Sequence, residues 1–268
     1  MDVTMNEKRE SFSSDRPDNA LLTKAMQILD IMRADNIYTS VIFSNILTLV
    51  RDFTATGSAK MLAPNLTANV ATTKLGLGLC QELSQRFILE YVLKFKEINV
   101  SILFLAKPGV RNGKRDHAFL YLGPLDIPNE LFVNQGSSNE STLPNASQPL
   151  LQFLKANQAG VLADPLLGFA NVCSGDLTPL FNYSKKYDVT HIIGVRSFAN
   201  TSGLIENAPV IEKNAELIAG VLRSRVNSEI RKKLSFLSLF PNPPKSRSIQ
   251  SLDADGEPTI NFEFYNKR

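Results

Sequence analysis

Apolar residues recur at helical spacing over residues 20–34, where Leu21, Leu22, Met26, Ile28, Leu29 and Met32 fall on one face and predict an amphipathic helix. A second helix is expected over residues 38–51. Residues 54–73 are rich in Gly, Ala, Thr, Asn and Pro and read as a long ordered loop. Gly76 and Gly78 then form a tight lead-in to a strongly periodic segment, residues 80–97, in which Leu83, Phe87, Ile88, Tyr91, Val92 and Phe95 share one face.

The period changes after that helix. VSILFLA, residues 100–106, is almost continuously apolar, and residues 118–122 follow a charged loop and stop at Gly123 and Pro124. Together they predict a hairpin buried in a sheet. Residues 131–135 suggest a further strand. A Ser/Asn/Pro loop, with residues 134–145 resembling an insertion, leads to a helix near 149–157 and to a strand over 160–164 closed by Pro165. Residues 189–197 predict another strand, and residues 211–240 one long helix or two, ended by the prolines at 241–244. In the tail, Ile260, Phe262 and Phe264 alternate with polar neighbours, as an edge strand or a docking segment does. The expected organisation is a disordered polar leader over 1–18, a single domain over 19–240 with its core at about 70–200, and a Pro-containing tail over 241–268.

With 43% hydrophobic and 21% charged residues, the chain falls in the ordinary range of soluble globular proteins. Only 2 Cys and 2 His are present, which excludes a disulfide scaffold and a four-thiolate zinc ribbon. The net charge of +3 does not by itself imply nucleic-acid binding. Basic charge is concentrated locally, with seven Lys or Arg against one acid between Arg223 and Arg247. From Arg223 to Lys233 the basic residues have no interleaved aromatics for base stacking. The run reads as a solvated helix face or as a peripheral contact with anionic membrane through Arg223, Arg231, Lys232 and Lys233. The first residues lack an apolar signal core, and no apolar stretch approaches the roughly 20 residues that span a bilayer. A cytoplasmic location is expected.

Three positions carry candidate chemistry. Cys80 follows a glycine-rich turn at the start of an amphipathic helix, where unpaired N–H groups and the positive end of the helix dipole favour a thiolate and would stabilise an oxyanion. The same position also suits a small packing residue. His117 opens a buried strand beside a charged loop, a rigid platform for a general base and equally a site for a structural histidine. Asp164 closes an apolar strand, where a carboxylate needs a hydrogen-bonded partner, although Asp-Pro is also a plain turn starter. Other sites fail: GLGLCQ lacks the third Gly of a dinucleotide fingerprint, and the segment from Gly109 to Lys114 falls short of a phosphate loop. A zinc site would need Cys80, His117, Cys173 and His191 to converge from distant positions, and Cys173 and His191 read as packing residues. No cofactor and no metal are expected.

The strings GLCQELSQRFILEYV, NVSILFLA, DHAFLYLG and VLADP, in that order, resemble the core of transglutaminase-like proteins within the papain-fold cysteine peptidase superfamily. The short interval from Cys to His favours the transglutaminase-like order over the papain order. The resemblance implies an α+β fold, with helices packed on an antiparallel sheet and helical extensions at both ends. It also implies a Cys80 nucleophile, a His117 general base and acid, and an Asp164 carboxylate that orients the ring. The reaction class so implied is acyl transfer on a protein substrate by a protease, deamidase or transglutaminase, which share these residues. The phrases G-x-C-x-E-L-S, D-H-A-F and ADPLLG are also similar to those of cysteine-dependent bacterial effectors, including YopT-type peptidases. That similarity implies a host-protein substrate and delivery into a host cell without a signal peptide. The chain departs from the papain pattern where Lys74 and Leu75 stand in place of an oxyanion Gln or Asn, so the second donor is open among Gln81, Thr73, Asn69 and a backbone N–H. The rival expectation is a catalytically silent module of the same fold that binds a partner through its basic helix and Phe-rich tail.

Overall fold

The computed structural model describes residues 17–33, 38–39, 50, 63–107, 117–124, 140–142, 148–198, 203–237 and 247–248. Among these residues are six helices: α1 (Pro17–Arg33), α2 (Pro64–Lys74), α3 (Cys80–Phe95), α4 (Leu150–Ala156), α5 (Thr178–Tyr187) and α6 (Leu204–Leu237). The strands are β1 (Tyr38–Thr39), β2 (Val100–Ala106), β3 (His117–Leu122), β4 (Glu140–Thr142), β5 (Gln148–Pro149), β6 (Val161–Asp164), β7 (Phe169–Val172), β8 (His191–Ser197) and β9 (Arg247–Ser248).

The central sheet runs β8-β2-β3-β6-β7, antiparallel throughout, and the short β4 and β5 both pair with β8. A separate pairing joins β1 to β9. Residues of β2 and β3 are buried on both faces, which is why these strands read as continuous apolar runs rather than alternating ones. Ile102, Phe104, Ala118 and Leu120 belong to a core shared with α1, α2, α3 and α6. Their neighbours Leu103, Leu105, Phe119 and Tyr121 belong to a second core with α4 and with Leu180 of α5. The fold is therefore α+β, with helices on both faces of an antiparallel sheet.

The expected hairpin is present, pairing Val100 with Leu122 and Leu105 with His117. The chain between its strands, residues 108–116, lies outside the described residues, as do the expected strand over 131–135, the tail at Ile260 to Phe264 and most of the expected helix over 38–51. Four expectations need correction. Tyr38 and Thr39 form a short strand rather than a helix start. The second half of the expected loop, from Pro64, is α2. Eight consecutive residues of α2, Leu66 to Thr73, are buried against α3 and α6, so it shows no polar face and no helical period. Within the supposed insertion, Glu140–Thr142 pairs with β8. The C-terminal helix is a single one that begins before Pro209, at Leu204. No helix among the described residues is long and apolar enough to cross a membrane.

Candidate active site

Cys80 is the first residue of α3. Leu79, in extended conformation, caps the helix, and its N–H donates to Glu82 Oε2 at 3.2 Å. The carboxylate thereby fixes the turn in front of Cys80, in the manner of a capping residue at the third helical position. The thiol itself is half-buried. Around it, the first-turn N–H groups have no carbonyl to bond within the helix and supply its positive end.

His117 and Asp164 come from neighbouring strands. β3 pairs with β6 in a register that aligns Leu120 with Ala163, and it brings the start of one strand beside the end of the other. Both residues are 1% exposed, and His117 Nε2 lies 2.5 Å from Asp164 Oδ2. The other carboxylate oxygen, Oδ1, accepts from the N–H groups of Leu166 at 3.0 Å and Leu167 at 3.2 Å. Asp164 thus does two things: Oδ1 closes the Asp-Pro turn, and Oδ2 holds the imidazole. Because the carboxylate only accepts, Nε2 carries the proton, and Nδ1 is the basic nitrogen of the neutral ring.

Nδ1 is buried and has no hydrogen-bond partner. The Cys80 side chain nonetheless lies close enough to act on the ring, though not in regular hydrogen-bond geometry, a loose approach common in unliganded thiol sites. Burial opposes the charged imidazolium, yet the charge and hydrogen bond of Asp164, assisted by Cys80, outweigh it and raise the proton affinity of His117 above that of a free imidazole. A ring so biased accepts a thiol proton readily and leaves a thiolate beside an imidazolium.

The second layer closes over the ring. Tyr183, on α5, lies 4.4 Å from His117 between ring centroids, and Phe119 packs against the ring at 6.3 Å. The site therefore stands at the end of the sheet, where the α3 layer meets the α5 layer. Tyr183 escaped sequence reasoning because a lone Tyr in a mostly polar segment carries no motif.

The other candidates take lesser places. Thr73 donates its hydroxyl to Val70 O at 2.7 Å, and Asn69 Nδ2 donates to Gln85 at 2.8 Å in a buried contact between α2 and α3. Asn69 therefore braces the helix pair, whereas the Thr73 bond lies within α2. Gln81, half-buried beside Cys80, and the first-turn N–H groups are left as candidate oxyanion donors. Cys173 is buried in the second core, where burial pushes its thiol up to about 12. His191 Nδ1 lies 2.9 Å from Thr190 Oγ1. Among the described residues, no group of three His, Cys, Asp or Glu side chains is arranged to hold a metal ion. Of the basic run, Arg223 lies on α6, while the side chains of Arg231, Lys232 and Lys233 lie outside the described residues.

Compared with known proteins, the chain matches no family model, no curated protein and no solved structure.

Proposed function

We propose that this chain is a cysteine-dependent acyl-transfer enzyme with a papain-like, transglutaminase-like core, acting on amide groups of a protein substrate. The observation that carries the reading is the buried 2.5 Å contact of His117 Nε2 with Asp164, which leaves Nδ1 without a partner on the side of Cys80. A buried base with one nitrogen held and the other idle costs stability unless a reacting group uses it. In the reaction, the Cys80 thiolate attacks the amide carbon, and the C–N bond breaks as the imidazolium protonates the leaving amine or ammonia. The resulting thioester is released when water or an amine attacks, with the ring taking the proton of the incoming group. N–H groups at the start of α3 hold the oxyanion in both steps.

Proteolysis, deamidation and transamidation differ only in which amide enters and what accepts the acyl group. A host protein as substrate, reached by delivery into a host cell, follows from the effector-like phrases around Cys80 and Asp164. Peripheral contact with anionic membrane through the basic end of α6 would localise the enzyme. The test is to incubate wild-type and Cys80→Ala protein with a candidate cell lysate and follow protein masses. Cleavage, a deamidation mass gain or cross-linking by wild type alone is the expected result. Identical lysates from both proteins would overturn the enzyme reading in favour of a silent binding module.

A further inference from the structure

Away from Cys80, His117 and Asp164, none of which lines it, a cavity of about 560 Å³ lies between α2, α3 and α6. That volume falls within the range of small-molecule sites. Its floor is formed by Thr73, Ala219 and Arg86, all buried, with Arg86 only 4% exposed. Exposed Arg223, Glu216 and Gly220 form the rim. Among the described residues that line it are three cations, Lys74, Arg86 and Arg223, against the single acid Glu216. Lys74 pairs with Glu212 at 2.5 Å and Glu216 at 3.6 Å, and Arg86 lies 3.5 Å from Glu90. Glu90 and Glu212 do not themselves line the cavity.

Gly220 is the second observation. It lies inside α6, its backbone is not left-handed, and a Cβ built there would meet no atom within 4 Å. Glycine in a helix interior is destabilising relative to alanine, and neither the backbone angle nor packing within the chain calls for one here. Gly220 borders the cavity, and the space its side chain would take is open. Two guanidinium groups and an ammonium around such an opening match the bidentate and point-charge recognition of oxyanions.

We infer that this cavity is a binding site for a small polyanion bearing phosphate or carboxylate groups, held by Arg86, Lys74 and Arg223 and admitted past Gly220. The inference is independent of the reactivity of Cys80. It is tested by thermal unfolding of the full chain with pyrophosphate or citrate, each against sodium chloride of equal ionic strength. A saturable rise in Tm with either anion is expected, and the anion that produces it identifies the headgroup chemistry. Gly220→Leu should keep the unliganded Tm or raise it while abolishing the anion-dependent rise. Arg223→Gln, at an exposed position, should weaken half-saturation by about fivefold. No saturable rise with either anion, or the same rise in Gly220→Leu and Arg223→Gln as in wild type, would overturn the proposal.

Discussion

The ring of Tyr183 lies 4.4 Å from that of His117, tilted by 38°, and packs in turn on Tyr187 at 4.6 Å. α5 thus holds an aromatic cover against the imidazole that Asp164 grips from β6. Tyr183→Ala should loosen the ring and slow alkylation of Cys80 at pH 6 by roughly tenfold, because small misplacements of a reacting pair are costly. Tyr183→Phe keeps the ring and should react like wild type. Equal rates for the Ala variant and wild type would show that the cover plays no part in placing the base.

The His117–Asp164 contact also predicts a pH dependence of stability. The folded-state pKa of His117 is raised above its unfolded value of about 6.5, chiefly by Asp164 acting against burial. The linked stabilisation is therefore fully present below about pH 6.5 and declines as pH rises towards and through the folded-state pKa. In urea titrations, the deficit of Asp164→Asn relative to wild type should be larger at pH 6 than at pH 9. A deficit that grows with pH would contradict the assigned direction.

Cysteine reactivity should be divided between the two thiols. Cys173 is buried and its pKa is pushed up by desolvation, whereas Cys80 is half-buried at a helix N-terminus. Peptide mapping after brief iodoacetamide treatment of the native protein should find label at Cys80 and none at Cys173. Label at Cys173 before unfolding would show that the second core opens readily.

Gly160 predicts a stability effect that supports the site indirectly. A Cβ there would fall 2.2 Å from ring atoms of Tyr121. That ring has little freedom to move: its hydroxyl donates to Pro124 O at 2.8 Å, and its edge meets Phe153 at 5.5 Å between centroids. Gly160→Ala should cost about 2 kcal/mol, the scale of overpacking in a filled core, as read by urea unfolding. Because Gly160 leads directly into β6, the same variant should also reduce the reactivity of Cys80 by shifting Asp164.

How much of this was legible in the chain depended on where each signal lay. Cys80, His117 and Asp164 stand at element ends marked by a glycine turn, a charged loop and Pro165, so their placement could be read locally. The hairpin of β2 and β3 was equally plain, since burial on both faces leaves a continuous apolar run. α2 was not, because Thr67, Asn69, Thr72 and Thr73 are polar residues buried among neighbouring helices, and their composition imitates a loop. β7 is short, half-buried and begins right after Gly168, whose φ is positive, so neither length nor alternation marks it. The relation of Tyr183 to His117 is tertiary: it exists only because α5 returns over the end of β3.

The thiol of Cys80 and the ring of His117 should act as one unit, and the alkylation rate of Cys80 at mildly acid pH reveals whether they do. At pH 6 wild-type Cys80 should react with iodoacetamide at least about tenfold faster than an unassisted thiol, because a positioned base assists it. In His117→Ala that advantage should disappear. A wild-type rate equal to that of a free thiol, unchanged by His117→Ala, would show that the two groups do not act together.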